Sequence, residues 1–289
     1  MTRSAPTILV TGATGTVGRE VAQRIPARYR VRLLTRRPEA VGRTADHIEV
    51  VAGEYADPES LDRALHGVDR ALLVTADVGG DHDTRFLHAA RSAGVRHIVK
   101  LSGASVSDPG ADDLITRWQR DCERQLCASG MAWTLLRPRS FMSNTLAWAP
   151  TISSEGRVRA LYGDSVNACV DPRDIADVAV RALTEVGHEG EAHVLTGPNP
   201  ISAVQQTKLL AELLGQQLTF EELAEDEVRA QYRRRHPGPL ADALLRSAER
   251  QRAGAKSRVE NTVLRVTGHP PRSYAQWAAD HLTAFVQAA

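Results

Sequence analysis

Short apolar runs alternate with amphipathic stretches along the first hundred residues. The runs predict strands at residues 7–10, 31–35, 48–52, 71–74 and 97–101. The intervening stretches predict helices at 15–25, 58–65 and 83–93, where apolar positions recur at helical spacing. Such alternation is typical of a parallel sheet covered by helices. The sequence therefore predicts an α/β fold with a doubly wound parallel sheet of the Rossmann type.

The alternation continues for one further unit and then breaks. A helix at 113–128 and a strand at 132–136 precede a long stretch, 139–170, that we expect to be irregular. Helices are predicted again at 174–185 and 201–215, and the charged segment 221–258 has a helical pattern broken at 236–239. We expect a cofactor-binding core over 1–138. A smaller, mixed substrate-binding portion would cover 139–289, with one core unit returning at about 165–197.

A glycine-rich turn follows the first strand and opens the first helix. The segment reads Ile8-Leu9-Val10-Thr11-Gly12-Ala13-Thr14-Gly15-Thr16-Val17-Gly18. Gly12 permits a tight turn, Gly15 lets a pyrophosphate approach the backbone, and Gly18 lets the helix pack closely on the sheet. Free amides at the helix start would then face the phosphates. The predicted dinucleotide site comprises Gly12, Thr14, Gly15, Thr16, Val17 and Gly18.

The second strand ends at Arg36 and Arg37, where an NAD-preferring protein would carry a carboxylate for the ribose 2′-hydroxyl. A guanidinium pairs well with a 2′-phosphate, which a carboxylate would repel. We therefore predict NADP(H) as the cofactor, with Arg36 as the first candidate contact and Arg37 as the second. The alternative is that both are solvated loop charges.

Further cofactor contacts follow from the topology. Glu54 and Tyr55 lie just past the third strand, where adenine would lie, and Thr75 and Ala76 lie at the end of the fourth, near the ribose on the nicotinamide side. A core-packing role for Tyr55 is an equal alternative.

The fifth strand carries two candidate catalytic residues. Lys100 and Ser102 are two residues apart and so share a face of the strand. Lys100 could stabilise a reacting oxyanion and Ser102 could donate a hydrogen bond. Alternatively, Lys100 pairs with a carboxylate. None of the five tyrosines has a lysine four residues later, so the usual Tyr-x-x-x-Lys proton donor is missing.

The chain resembles the NmrA-like group of atypical short-chain dehydrogenase/reductases over nearly its whole length. The resemblance lies in the glycine turn and in residues 93–102, 129–138, 170–176 and 267–273. That group includes quinone oxidoreductases, triphenylmethane-dye reductases and non-enzymatic redox sensors. It implies that the loop after the sixth strand, with Arg137, Pro138, Ser140 and Phe141, borders the nicotinamide; the topology of the fifth strand places Lys100 at the same end. Phe141, Met142, Trp148 and Tyr162 would then form an apolar wall for a flat substrate, or else pack as ordinary core residues.

Composition excludes several classes of partner. The formal net charge is +1, which gives no indication of nucleic acid or membrane binding. Cys122, Cys127 and Cys169 lack metal-ligand spacing, so we expect no metal site. Since no apolar run is long enough for a membrane helix or a signal peptide, a cytoplasmic protein is expected. The choice between monomer and homodimer stays open.

The missing proton donor indicates the substrate class. Hydride transfer to an aliphatic ketone leaves an alkoxide, for which a positioned acid matters. A quinone or polycyclic aromatic leaves a delocalised anion that can take its proton from water. We therefore predict direct, flavin-free reduction of such an acceptor by NADPH, as in the tailoring of an aromatic polyketide antibiotic. The alternatives are a non-catalytic redox sensor of NmrA type and a ketoreductase without the usual tyrosine.

Overall fold

The structure is a computed structural model and describes residues 5–286. Its strands are β1 (Thr7–Thr11), β2 (Arg30–Thr35), β3 (Ile48–Ala52), β4 (Arg70–Leu73), β5 (His97–Leu101), β6 (Ala132–Pro138), β7 (Arg157–Ala160), β8 (Glu191–Leu195) and β9 (Thr219–Glu222). Its α-helices are α1 (Thr16–Arg24), α2 (Pro58–Leu65), α3 (His82–Ser92), α4 (Leu114–Ala128), α5 (Ala149–Glu155), α6 (Pro172–Thr184), α7 (Ala203–Leu214), α8 (Glu225–Arg235), α9 (Gly238–Arg252), α10 (Thr262–Thr267), α11 (Tyr274–Asp280) and α12 (Leu282–Val286). Short 3₁₀ helices lie at Pro38–Ala40, Ala104–Ser107 and Met142–Trp148.

A seven-stranded sheet organises the described residues of the cofactor core. Its order is β3-β2-β1-β4-β5-β6-β8, and the pairs from β3 to β6 are parallel. In register, Val10 of β1 pairs with Leu33 of β2 on one side and Leu72 of β4 on the other. The strand order reverses at β1, which is where ligands bind in open α/β sheets. The predicted doubly wound fold is confirmed.

The sheet is buried on both faces. On one face Leu9, Leu61, Phe86 and Ile98 belong to a core of buried apolar side chains supplied by the strands and by α2 and α3. On the other face α1 packs against α6. Such two-sided burial explains why the strands read as nearly continuous apolar runs.

The chain divides into two compact units. The first comprises the residues up to Val106, Arg117–Pro138 and Pro172–Val194. The second comprises Ser107–Thr116, Arg139–Asp171 and the residues from Leu195 onward. None of the helices within residues 5–286 is long and apolar enough to cross a membrane.

The second unit has its own core, which includes Met142, Ile152, Val158, Trp277 and Phe285. Strands β7 and β9 pair in parallel beside it. The prediction of an irregular stretch over residues 139–170 is wrong, because a 3₁₀ helix, α5 and β7 lie there. These elements are four to seven residues long, too short for their apolar positions to repeat and reveal a period.

Gly18 fixes the distance between α1 and the turn that precedes it. A Cβ atom at this position would lie 2.2 Å from the carbonyl oxygen of Gly12, which belongs to the backbone and has little room to move. We expect Gly18→Ala to lower the free energy of unfolding by about 1–3 kcal/mol or more. Urea unfolding followed by circular dichroism measures this loss.

Gly103→Ala is the matched control, because its Cβ would meet nothing nearer than the Ser105 hydroxyl at 3.9 Å. Equal stability of the two variants would contradict the close packing of α1 on the turn.

Candidate functional site

The glycine turn leaves the first amides of α1 without a capping side chain among residues 5–286. Gly12 adopts φ +63°, a left-handed conformation that favours glycine, and its carbonyl accepts a hydrogen bond of 2.9 Å from the Gly15 amide. Gly15 is the N-cap residue of α1, where no side chain caps the helix, and the first turn carries no acidic residue. The exposed helix start therefore offers amide donors and the positive end of the helix dipole to an anion.

Arg36 and Arg37 stand exposed directly after β2. The Thr35 hydroxyl accepts a hydrogen bond of 3.1 Å from the Arg37 amide and so shapes the backbone there. Among residues 5–286, no carboxylate lies within ion-pair distance of either guanidinium. Both cations are thus available for a phosphate group, as the NADP(H) prediction requires.

A cavity of about 340 Å³ lies beside the turn. It is lined by Ala13 and Thr14 of the turn, by Arg19 of α1, and by Arg43 and His47 from the connection between β2 and β3. The arginines make the neighbourhood of the turn more cationic, which favours a polyanionic cofactor.

Tyr55 packs inside the first unit. Its hydroxyl donates a hydrogen bond of 2.7 Å to the Val74 carbonyl, and its ring stacks on His82 at 5.0 Å between centroids. Burial raises the pKa of the Tyr55 hydroxyl well above its usual value. These contacts agree with the alternative that Tyr55 packs in the core. A contact of Tyr55 with adenine stays a prediction. Glu54, also predicted near the adenine, is exposed.

Lys100 lies in a buried polar cluster at the ends of β4 and β5. Its side chain is 0% exposed and forms an ion pair with Asp83 of α3, which is 2% exposed. The Thr75 hydroxyl donates a hydrogen bond of 2.6 Å to the same carboxylate and accepts one of 3.3 Å from Lys100 Nζ. The Trp118 ring of α4 lies 5.9 Å from Nζ.

Pairing of Lys100 with a carboxylate, the alternative drawn from the sequence, is thus what the structure shows. A fully buried ammonium has no exposed atom to offer an oxyanion, so the geometry gives the predicted catalytic role no support. Thr75 is likewise engaged in this cluster, whereas Ala76 is exposed just beyond β4.

Ser102 belongs to a second buried network. Its hydroxyl donates a hydrogen bond of 2.6 Å to Glu123 of α4, and Arg137 of β6 forms two bonds to the same carboxylate, at 3.0 and 2.5 Å. The one hydroxyl hydrogen of Ser102 is therefore directed at Glu123, which opposes the predicted hydrogen bond to a substrate. Glu123 and Asp83 were missed in the sequence. Gln119 and Glu123 of α4 are four residues apart, which is the spacing of Tyr and Lys in the Tyr-x-x-x-Lys motif of ordinary short-chain reductases.

The residues predicted to form the apolar wall differ in exposure. Met142 is 1% exposed and belongs to the core of the second unit, against which Trp148 is packed. Phe141 is half-buried and forms a β-bridge with Val170. The Tyr162 hydroxyl donates a hydrogen bond of 3.1 Å to Glu225, and the Arg252 guanidinium lies 5.0 Å from its ring centre. Ordinary packing describes Met142, while substrate contacts of the other three stay predictions. Pro138 ends β6 and is buried.

A family model described as NAD(P)H-binding matches residues 12–186, which include the glycine turn and all strands from β2 to β6. The chain belongs to the NAD(P)H-binding family. The dinucleotide cofactor predicted from the glycine turn is thereby confirmed.

Three relatives place the chain within this family. It is 54% identical over 278 residues, 96% of this chain and 99% of the relative, to a (4-alkanoyl-5-oxo-2,5-dihydrofuran-3-yl)methyl phosphate reductase of Streptomyces griseus. It is 34% identical over 286 residues, 96% and 99% of the two chains, to an NAD(P)H azoreductase of Xenophilus azovorans. The crystal structure of the NADPH-dependent quinone oxidoreductase QOR2 of Escherichia coli with NADPH superposes with a TM-score of 0.80, at 29% identity and 96% and 99% coverage.

These findings confirm the resemblance to the NmrA-like reductases and the assignment as an NAD(P)H-dependent oxidoreductase. They leave the acceptor open, because the three relatives are named for three different acceptors.

Arg36 provides a test of cofactor preference. We expect Arg36→Ser to raise the Kd for NADPH about 10- to 100-fold, because a charge-assisted hydrogen bond to the 2′-phosphate is lost. The Kd for NADH, which lacks that phosphate, should stay unchanged. Isothermal titration calorimetry measures both constants. The matched control is Arg30→Ser, at the opposite end of β2. Equal weakening of NADPH and NADH would refute the assignment of Arg36.

The ion pair of Lys100 and Asp83 provides a test of stability. Replacing Lys100 by Met leaves a buried carboxylate without its partner, so we expect a loss of about 3–5 kcal/mol in the free energy of unfolding. The double variant Lys100→Met with Asp83→Leu should recover most of it, because no charge is then left buried. Urea unfolding measures both. A double variant no more stable than Lys100→Met would contradict this account.

Proposed function

We propose that this oxidoreductase reduces the ring C=C bond of an acyl-butenolide phosphate, using NADPH directly. The observation that carries the proposal is the 54% identity, over 96% of the chain, to a reductase named for a (4-alkanoyl-5-oxo-2,5-dihydrofuran-3-yl)methyl phosphate. The polar networks around Lys100 and Ser102 support it, because they leave neither side chain free to act as an acid. Reduction of this substrate needs no strong acid.

The double bond of such a substrate is activated twice. One of its carbons carries both the alkanoyl group and the lactone carbonyl, and the other carries the methyl phosphate. Bound NADPH supplies a hydride, which adds to the carbon that bears the methyl phosphate. The electron pair of the double bond then moves onto the two carbonyl oxygens. The resulting enolate takes one proton from water, so that one C=C bond is reduced by one hydride and one proton.

The delocalised enolate explains why no strong acid is needed. A positioned acid contributes on the order of 10²–10⁴ in rate where an alkoxide forms. Here the negative charge is shared by two carbonyl oxygens and is far less basic. The protein's own contribution is positioning, which can supply about 7–11 kcal/mol. Neither Lys100 nor Ser102 offers a free donor, because Asp83 and Glu123 hold them.

The residues of the first unit have definite parts in this scheme. The amides at the start of α1 bind the pyrophosphate, and Arg36 with Arg37 bind the 2′-phosphate. The buried pair of Lys100 and Asp83 joins the end of β5 to α3, and its part would be to hold the carboxyl end of the sheet in place where the cofactor is proposed to bind. Rigid positioning of this kind preserves the near-attack geometry on which hydride transfer depends.

Quinone reduction is the second candidate. It is favoured by the similarity to QOR2, a quinone oxidoreductase at 29% identity, and by the same electronic logic, since a reduced quinone is a delocalised phenolate. Tailoring of an aromatic polyketide has no such relative among those compared above. The sensor alternative is weaker, because the relatives at 54% and 34% identity are named reductases. The ketoreductase alternative is weaker, because neither Lys100 nor Ser102 is free to supply the acid that a ketone needs.

The test uses NADPH carrying deuterium at C4. We expect NADPH oxidation with an acyl-butenolide phosphate to place deuterium on the ring carbon that bears the methyl phosphate, as read by NMR. The value of kcat/KM for the acyl-butenolide phosphate should exceed the values for naphthoquinones and for an aliphatic ketone by at least about tenfold. Of these substrates, only the butenolide combines a doubly activated C=C bond with a phosphate group. Faster turnover of a quinone would favour the second candidate. Deuterium on the side-chain carbonyl carbon would mean ketone reduction and would overturn the proposal.

A further inference from the structure

Two cations of the second unit, Arg139 and Lys256, lie close enough for their charges to interact, and neither forms an ion pair within the described residues. Arg139 comes directly after β6, and Lys256 lies in the segment after α9. Backbone hydrogen bonds join their surroundings: the Arg139 amide donates to the Leu195 carbonyl at 2.9 Å, and the Ala168 amide donates to the Lys256 carbonyl at 2.9 Å. The Gly197 amide donates to the Ala168 carbonyl at 3.2 Å and links the two pairs.

The Arg139 guanidinium is half-buried and incompletely bonded. Its Nε atom is inaccessible to solvent and has no hydrogen-bond partner within residues 5–286. Asp108 and Glu260 are near enough to act on its charge but form no ion pair with it; Glu260 pairs with Arg258 at 2.8 Å, and Asp108 lies 3.8 Å from Arg250. Burial lowers the pKa of Arg139 below its usual value. A cation is therefore held in a place that partly desolvates it.

Lys256 is likewise a partly buried cation without an ion pair among the described residues. Its Nζ atom donates a hydrogen bond of 2.9 Å to the Ser247 hydroxyl, and no carboxylate within the described residues lies at ion-pair distance. Burial, followed by the charges of Arg250 and Arg139, lowers the pKa of Lys256 to about 8, against the opposing effect of Asp113. Arg250 itself is bonded to Asp113 at 2.7 Å. The charge of Arg139 thus acts unfavourably on that of Lys256, and neither cation forms an ion pair within residues 5–286.

Partly buried like charges are costly unless an anion compensates them. Phosphate suits this pair, because a guanidinium donates two parallel hydrogen bonds to phosphate oxygens and an ammonium adds a compact charge. Both residues belong to one compact unit, and neither takes part in binding the dinucleotide as described above.

We propose that Arg139 and Lys256 form a phosphomonoester-binding subsite, which holds the phosphate of the substrate. This inference depends on the proposed function for the identity of the ligand. The chemistry of the subsite itself is independent of hydride transfer.

The first experiment measures binding of inorganic phosphate to the full chain saturated with NADP⁺, which keeps the cofactor's own phosphate sites occupied. We expect one saturable site by isothermal titration calorimetry. Arg139→Gln and Lys256→Gln should each weaken it by at least about tenfold, because a charge-assisted hydrogen bond is lost. The matched control, Arg234→Gln on the exposed part of α8, should bind phosphate like the wild type. No saturable binding, or binding unaffected by both variants, would overturn the subsite.

Folding of each variant is checked by its affinity for NADP⁺ and by urea unfolding. Should Arg139→Gln not fold, Arg139→Lys keeps the positive charge but loses the paired donors. We expect Arg139→Lys to bind phosphate more weakly than the wild type. It should still bind phosphate more tightly than Lys256→Gln, which has lost one positive charge. Wild-type affinity in both Arg139→Lys and Lys256→Gln would count against the subsite.

The second experiment compares an acyl-butenolide phosphate with its dephosphorylated alcohol. In the wild type kcat/KM should favour the phosphate by at least about tenfold, and in Lys256→Gln this ratio should fall towards one. If phosphate binds through Arg139 and Lys256 but the butenolide is not reduced, the subsite stands and the proposed function fails. If both forms are reduced equally well and phosphate does not bind, reduction stands and the subsite fails.

Discussion

The close approach of α1 to the glycine turn is the constraint on which the cofactor site depends. Because Gly18 has no side chain, the first turn of the helix comes within contact of the Gly12 carbonyl. This contact aims the bare amides of the helix start at the space above the sheet where the strand order reverses. In the predicted site, the place of the pyrophosphate depends on this one piece of packing.

Buried ion pairs join several strands and helices of the first unit to one another. Two charged networks, Lys100 with Asp83 and Arg137 with Glu123, join β5 and β6 to the helices that cover them. The side chains of Lys100 and Ser102, predicted to be catalytic, are thus engaged with carboxylates of these helices. The proposed acceptors stabilise their own negative charge, and the relatives are named for butenolide, azo and quinone acceptors.

The parallel sheet, the glycine turn and the cation at the end of β2 could be predicted from the sequence, because each depends on local chemistry. Apolar runs indicate the strands, the conformational freedom of glycine indicates the turn, and arginine supplies the charge. The sequence was insufficient for Lys100, since its partner Asp83 is seventeen positions away on a helix and only the fold brings the two together. It was also insufficient for Arg139 and Lys256. One signal was available for Lys256, which is one of only three lysines in a chain otherwise rich in arginine.

The way the chain alternates between its two units has an evolutionary consequence. Each unit is assembled from three separate segments, interleaved along the sequence. No single recombination event could therefore exchange the second unit for one with another specificity, and neither unit exists as a contiguous polypeptide that could be inherited alone. Substitution of individual side chains within the unchanged scaffold is therefore the simplest route to a new acceptor in such a lineage. Divergent specificity at constant length and full alignment coverage is the pattern that this mode of change would leave.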